Sequence, residues 1–341
     1  LPLISDPLPC FLSFFIKQLR TLIAYQYHPV IKMGDRPWDE LMPDTLGLIF
    51  QKLPIDEIVN VIPSVCKSWA KAVRGPYCWQ EIDIEEWSRY RRPESIDRML
   101  VLLIGRSCGS LRKLCVYGLA SEMSLSLIAD HAKSLQNLRL PRSEISDSMV
   151  EQVTTKLSSL TSLDLSYCTK IGAPALQAFG KHCNLLTSLQ RNMHPWDVTE
   201  RMNQDAEAYA ISATMPQLKH LELAYLNVTT DGVLQIIKNC QELELLDIRG
   251  CWNVKLDEEF LKKRTKLEVV GPLVVDYCGN VKDHLNLYHG SSSFWAWGFA
   301  EMDEYDDGSD DAADMSDDIW DDVHEMQDLG LVAYEDVFGY Y

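Results

Sequence analysis

The stretch that decides the fold of the N-terminal part of the chain is residues 38–73, which read WDELMPDTLGLIFQKLPIDEIVNVIPSVCKSWAKAV. Proline is tolerated in the first turn of a helix and breaks a helix interior. Pro43, Pro54 and Pro63 each precede a run of apolar residues, so they predict three short consecutive helices. Asp44 and Asp56 favour the first two helices, because a carboxylate in the first turn stabilises the helix dipole.

The apolar residues of these helices exceed what so short a segment can bury. Helices of two or three turns are marginal alone, and roughly 35 residues enclose too little volume to close a core. An exposed apolar remainder of this kind marks a site for another protein. The residues that contribute to it are Leu46, Ile49, Leu53, Ile58, Val65 and Trp69.

The stretch resembles the F-box, and the match covers the whole motif. Met42-Pro43 stands where the family has Leu-Pro, and methionine is a flexible side chain of similar volume. The run from Val65 to Trp69 follows at the usual distance. The resemblance implies binding to the Skp adaptor of an SCF ubiquitin ligase and, through it, to cullin; a helical hairpin packed inside a larger domain is the alternative. The adaptor-binding residues that it implies are Met42, Pro43, Leu46, Ile49, Leu53, Val65, Cys66 and Trp69.

A second pattern begins after Trp79. The phrase Leu-x-x-Leu-x-apolar starts at Leu111, Leu135, Leu160, Leu186, Leu218, Leu243 and Leu267, at intervals of 24, 25, 26, 32, 25 and 24 residues. This period is typical of leucine-rich repeats, in which each unit is a strand plus a helix and stacked units share a core that one unit could not close. We therefore predict an α/β fold: a short helical F-box, a horseshoe-like leucine-rich-repeat solenoid and a disordered acidic C-terminal tail.

Cysteines repeat with the leucines. Cys168 and Cys251 follow the third apolar residue of their strands at one offset, and Cys183 and Cys240 end the helical halves of their units. This resembles the cysteine-containing subclass of leucine-rich repeats common in F-box proteins. The sequences of residues 79–85 and 249–255 are similar to those of plant members of the family. The resemblance implies a non-catalytic substrate-recognition subunit that delivers a protein for ubiquitination and proteasomal degradation. A repeat scaffold that does not drive degradation remains the alternative.

Charge is concentrated at the C-terminal end. Residues 301–341 hold 16 of the 50 acidic residues and no Lys or Arg, so this segment is predicted to be a disordered tail. The other 34 carboxylates face 32 basic residues, which leaves the body at −2. Because nucleic-acid binding needs a basic surface, we expect no nucleic-acid partner.

The chemistry-bearing residues form no recognisable catalytic or metal site. The 10 cysteines include no Cys-x-x-Cys pair and no zinc spacing, so we expect free thiols in a reducing compartment, the nucleus and/or cytoplasm, and no metal or other cofactor. No apolar run reaches the length of a membrane span. No Ser-His-Asp or Cys-His set can be proposed, so we do not expect an enzyme.

The patterns divide the chain into four parts. We expect an unstructured leader at residues 1–32, upstream of a natural start at Met33, and the F-box at 33–79. The repeats with their terminal cap would occupy 80–290, and an aromatic patch at Phe294–Phe299 would precede the tail within 291–341. The patch could cap the solenoid or serve as a docking motif, and both interpretations stay open.

The repeat pattern also predicts a substrate-binding face. In a strand, alternate residues point to opposite faces, so the fifth position of each Leu-x-x-Leu-x-Leu motif points away from the core and the stacked positions form a row. That row begins at Cys115, and an insertion of about 7 residues at 191–197 would close one edge, although a tolerated loop is an equal alternative. Because the C-terminal half of the row is acidic, we expect a basic or mixed-charge substrate segment there, unless these are merely solvated positions. The predicted substrate-binding residues are Arg139, Asp164, Gln190, Trp196, Glu222 and Asp247.

Overall fold

The computed structural model describes residues 41–131, 133–194, 203–257 and 264–272. All of them belong to the first of two compact units of the chain, Leu1–Val275. The predictions for the leader, Trp196, the aromatic patch and the tail lie outside the described residues.

The described chain opens with a helical segment. Helix α1 spans Pro43–Phe50, and a π-helical turn at Glu57–Val61 runs directly into α2 at Ile62–Val65. Helix α3 spans Lys67–Arg74 and is followed by a 3₁₀ turn at Pro76–Trp79.

Pro63 does not begin the third helix, so that part of the prediction is wrong. The ring of an α-helical proline clashes with the carbonyl four residues earlier. Here the preceding turn is π-helical, with the Ile62 N–H bonded to the Glu57 carbonyl five residues back, and the wider turn accommodates Pro63 without ending the helix. The break falls instead at Cys66, whose backbone is extended (φ −161°, ψ 166°), and α3 starts at Lys67.

Eight parallel strands follow, each paired with its neighbours in chain order. The central residue of every strand lies opposite the central residue of the next, from Ile82 and Leu114 to Leu246 and Val269. The strands are β1 Glu81–Asp83, β2 Lys113–Cys115, β3 Asn137–Arg139, β4 Ser162–Asp164, β5 Ser188–Gln190, β6 His220–Glu222, β7 Leu245–Asp247 and β8 Glu268–Val270.

Helices connect the parallel strands. A short 3₁₀ turn, Thr154–Lys156, extends the fourth of them. The helices are α4 Glu85–Ser88, α5 Pro93–Ser107, α6 Glu122–His131, α7 Asp147–Val153, α8 Ala173–His182, α9 Asp205–Thr214 and α10 Thr230–Asn239. This strand–helix alternation confirms the leucine-rich-repeat solenoid that the sequence predicts.

The core lies between the sheet and the helices. The central residues of β2 to β7 are fully buried leucines, and burying each such side chain contributes roughly 1.5–3 kcal/mol. The repeated cysteines join the repeats. The Cys168 and Cys251 thiols donate to the carbonyls of Leu140 and Leu223 at 3.1 and 3.2 Å. The Cys183 and Cys240 thiols each donate to a carbonyl of the preceding repeat in the same way.

These buried thiols should resist alkylation. Burial raises the pKa of Cys168, Cys183 and Cys251 to about 12 and that of Cys240 to about 11. Because the thiolate is the nucleophile, iodoacetamide at mildly alkaline pH should leave all four unmodified in the folded protein while exposed Cys108 reacts. Peptide mass spectrometry measures this. Unfolding in guanidinium should make the four react, whereas rapid modification of Cys168 in the folded protein would contradict the prediction.

Candidate functional site

The helical segment has its own core. The Phe50 and Trp69 rings lie 5.1 Å apart between centroids, and Leu46, Phe50 and Ile62 are fully buried. A Cβ on Gly47 would lie 2.6 Å from the Cβ of Tyr77, so α1 rests directly on the 3₁₀ turn.

This packing corrects two of the predicted adaptor contacts. Leu46 is 0% exposed and Trp69 is 7% exposed, so neither can present its side chain to a partner. The three helices alone would leave these apolar side chains uncovered. The 3₁₀ turn adds to the core, because Cys78 and Trp79 are buried there and the Trp79 indole N–H donates to the Val73 carbonyl at 2.6 Å.

An apolar surface nevertheless remains on α1 and α2. Leu48 and Val61 are exposed but were not among the predicted contacts. Helical periodicity could have identified Leu48, because it places this residue on the side of α1 opposite buried Leu46. Of the other predicted contacts, Ile49, Leu53 and Cys66 are half-buried. The exposed apolar residues in and beside the two helices, taken together here as the α1–α2 apolar surface, are Met42, Pro43, Leu48, Val61 and Val65, of which Met42 is 64% exposed and Leu48 57% exposed.

Arg106 connects the helical segment to the first repeat. Its guanidinium lies 5.7 Å from the centroid of the Trp79 ring, and the residue is 9% exposed. Burial, with Arg74 nearby, lowers the pKa of Arg106 to about 10. This contact joins α5 to the 3₁₀ turn through a cation–π interaction.

The strands bring five of the predicted substrate-binding residues into one row. The register places Arg139 beside Asp164, then Gln190, Glu222 and Asp247 in order. Each lies one residue after the buried centre of its strand, as the two-residue strand period predicts.

Cys115, which was also expected to face outward in this row, is fully buried. An ion pair between Arg139 Nη1 and Glu85 Oε2, at 3.3 Å, spans the repeat that carries Cys115. The short thiol is therefore covered by longer side chains from both neighbouring repeats.

Charge in the row is more balanced than the sequence suggests. Arg139 Nε lies 3.2 Å from Asp164 Oδ2. Burial lowers the pKa of Arg139, but the Asp164 and Glu85 carboxylates outweigh burial, so the pKa is raised overall. Arg249 Nε donates to Asp247 Oδ2 at 2.9 Å. Two of the three carboxylates thus have an arginine partner, and the row is not the acidic strip expected from the sequence. The same two residues are buried, Asp164 at 4% and Asp247 at 5% exposed, so the prediction that they contact a substrate directly is wrong.

Glu222 has amide partners instead of a cation. Its two carboxylate oxygens accept hydrogen bonds from Gln190 Nε2 at 2.7 Å and from Asn192 Nδ2 at 2.9 Å. The Asn192 side-chain oxygen in turn accepts from the Ala224 N–H at 2.9 Å. These hydrogen bonds fix the position of the Glu222 carboxylate in the row.

The start of the predicted insertion belongs to the core. Arg191, Asn192 and Met193 are at most 9% exposed, so the surface loop cannot begin at Arg191 as the sequence suggested. Arg191 Nε lies 3.0 Å from Glu207 Oε2, and Arg191 Nη2 donates to the Ile171 carbonyl at 2.7 Å. This buried ion pair ties α9 to the strand before it.

The described residues contain no group of three or more His, Cys, Asp and Glu that could hold a metal ion. Within those same residues, no helix combines the length and the apolar character that a membrane crossing requires.

Comparison with known proteins places the chain among plant F-box proteins, although no family model matches it. It is 49% identical over 306 residues to the F-box protein FBW2 of Arabidopsis thaliana, covering 84% of this chain and 96% of that protein. It is 32% identical to the Arabidopsis F-box protein SKIP19, with 66% and 73% covered. It is also 32% identical to the putative Arabidopsis F-box/LRR-repeat protein 23, with 67% and 51% covered. Among solved structures, the yeast Rad7–Elc1 complex aligns over 79% of this chain and 87% of its own, at 11% identity and a TM-score of 0.35.

Proposed function

Because the chain belongs to the family of plant F-box proteins with leucine-rich repeats, we propose that it is a substrate-recognition subunit of an SCF ubiquitin ligase. In this proposal the helical segment binds a Skp-type adaptor, which connects the chain to cullin, and the repeats bind a substrate protein. The chain itself performs no catalysis. The free buried thiols suit the nucleus and cytoplasm as its location.

The observation that carries the adaptor proposal is the α1–α2 apolar surface. Its residues stay exposed although the segment already has a complete core behind them, and exposed apolar patches of this kind mark protein interfaces. Leu48 and Val61 join the predicted contacts, whereas Leu46 and Trp69 support the surface from beneath.

The row of polar strand residues supports the substrate half of the proposal. Arg139, Gln190 and Glu222 keep partly exposed side chains in this row, and we assign substrate binding to them together with Trp196. Asp164 and Asp247 are 4% and 5% exposed and act by holding Arg139 and Arg249 in place. A receptor of this kind accelerates ubiquitination by raising the effective concentration of a substrate lysine near the loaded ubiquitin carrier.

Disrupting the α1–α2 apolar surface should abolish adaptor binding. The Leu48→Asp/Val65→Asp variant places two charges on this surface, so recovery of the Skp adaptor in co-purification should fall at least about tenfold, since desolvating an unpaired charge is costly. The thermal midpoint should stay near that of the wild type, because both side chains are exposed.

The matched control is Met123→Asp/Leu185→Asp, which alters two exposed apolar residues of the repeats. It should leave adaptor recovery unchanged. Normal recovery with the α1–α2 variant would refute the adaptor surface. With the assembled ligase and the proteasome blocked, ubiquitinated proteins that co-purify with the chain would support the degradative function, and adaptor binding without ubiquitination would favour the scaffold.

A further inference from the structure

A row of side chains follows the carboxyl ends of the first four strands. The Tyr117 N–H donates to Ser88 Oγ at 2.9 Å, and the Gly118 N–H donates to the Pro141 carbonyl at 2.9 Å. The Arg142 N–H continues the ladder to the Ser166 carbonyl at 2.8 Å. These bonds place the residues after each strand side by side along one edge of the sheet.

Arginine and aromatic side chains alternate along this edge. The Arg91 guanidinium lies 5.3 Å from the centroid of the Trp87 ring, and that of Arg89 lies 4.8 Å from the Tyr117 ring. The Arg142 guanidinium lies 5.8 Å from the Tyr167 ring. We call these six residues the arginine–aromatic rim.

Two of the three arginines have unused hydrogen-bond donors. Arg89 forms an ion pair with Glu85 at 3.0 Å, but no carboxylate or other acceptor of the described residues binds the Arg91 or Arg142 side chain. Stacking on a ring holds a guanidinium in one plane and leaves its N–H edge free. That edge matches the geometry of a carboxylate, which can accept two parallel hydrogen bonds.

The backbone at Arg142 follows a turn that the repeats share. Arg142 has φ 55°, in the left-handed region that favours glycine, and Gly118 occupies the equivalent position one repeat earlier with φ 68°. A glycine would adopt this conformation without strain. Tyr167, Tyr225 and Gly250 have the same left-handed backbone at the equivalent position of their repeats, and the Arg142 N–H donates to the Ser166 carbonyl, so the turn belongs to the repeat fold. It leaves the Arg142 side chain exposed, with its guanidinium over the Tyr167 ring.

We propose that the arginine–aromatic rim binds an acidic, extended peptide segment of a partner protein. Carboxylates of that segment would accept hydrogen bonds from Arg91 and Arg142, while its backbone and apolar groups would contact Trp87 and Tyr117. The charge of Glu85 is offset by Arg89 and Arg139, with which it forms ion pairs. A single-stranded nucleic acid fits less well, because it needs a continuous basic groove along its backbone, whereas the rim offers separate arginines that suit individual carboxylates. The proposal concerns residues outside the α1–α2 apolar surface and does not depend on ligase assembly.

The test uses the full-length chain and a fluorescent peptide of alternating Glu and Ala, with a peptide of alternating Gln and Ala as the neutral probe. The wild type should prefer the acidic peptide. Arg91→Gln/Arg142→Gln should weaken acidic-peptide binding about tenfold or more, since two charge-assisted interactions are lost. Arg91→Lys/Arg142→Lys should also weaken it, because lysine keeps the charge but lacks the planar fork.

The matched control is Lys181→Gln/Lys238→Gln, which removes two exposed charges from the last turns of α8 and α10. It should leave acidic-peptide affinity within about twofold of the wild type, because these lysines lie on helices and not on the strand edge that carries the rim. Thermal midpoints of all variants should agree. The proposal is overturned if the wild type binds both peptides equally, if the Gln variant keeps full affinity, or if oligouridylate of equal charge binds more tightly than the acidic peptide.

Discussion

Replacing Arg191 with methionine is expected to lower the free energy of unfolding by about 3–5 kcal/mol. Arg191 is 1% exposed and Glu207 is 5% exposed, so the substitution leaves a carboxylate buried without its cation. It also removes the hydrogen bond from Arg191 Nη2 to the Ile171 carbonyl. Denaturant unfolding, followed by circular dichroism, measures the change.

The double variant Arg191→Met/Glu207→Leu separates the ion pair from simple loss of packing. Replacing both buried charges by apolar groups of similar volume is often neutral, so the double variant should recover most of the lost stability. The exposed pair Lys170–Glu144, at 2.9 Å, offers the matched control. Lys170→Met should cost less than about 1 kcal/mol. A similarly small loss for Arg191→Met would show that the buried pair is not what holds α9 to the sheet.

The second expected result concerns Gly47. Gly47→Val should destabilise the helical segment by about 1–3 kcal/mol and also reduce recovery of the Skp adaptor. A Cβ at this position would lie 2.6 Å from the Tyr77 Cβ and 3.0 Å from the Tyr77 carbonyl carbon, so α1 must move away from the 3₁₀ turn. Hydrogen exchange of the α1 and α3 amides, together with adaptor co-purification, reports both effects.

Gly105→Ala is the matched control for this substitution. Gly105 lies inside α5, where an added Cβ would meet no other atom within 4 Å. Alanine has the higher helix propensity, so this variant should be neutral or stabilised by up to about 1 kcal/mol. Unchanged amide exchange and adaptor recovery in Gly47→Val would contradict the close packing of α1 on Tyr77.

Much of the fold could be predicted because its information is local. Each repeat places its leucines at the same offsets, so the pairing of Leu138 with Leu163, and of the other central leucines of β2 to β7, follows from the period alone. The last pair departs by one residue, because the motif aligns Leu246 with Val270 and the structure pairs it with Val269. The cysteine offsets are local in the same way. Cys168 and Cys251 make equivalent hydrogen bonds because they occupy equivalent positions in units of the same shape.

The candidate sites were predicted less completely, since exposure depends on what other elements cover a side chain. Leu46 and Trp69 have the residue types of an interface, but α1, α3 and the 3₁₀ turn bury them against one another. Cys115 points outward by strand period and is nevertheless covered by the ion pair of Glu85 and Arg139.

Sequence alone therefore determined the repeat period, the register of the six leucine-centred strands and the position of the helical segment, because leucine spacing and proline position act over a few residues. Tertiary structure alone decided which apolar residues stay exposed on α1 and α2, that arginines neutralise Asp164 and Asp247, and that Arg191 is buried with Glu207. Apart from the Arg249–Asp247 pair, whose residues are two positions apart, each of these outcomes joins residues from different repeats or different elements of the fold. Burial and ion pairing arise from such contacts across the fold, and no local pattern of residues encodes them.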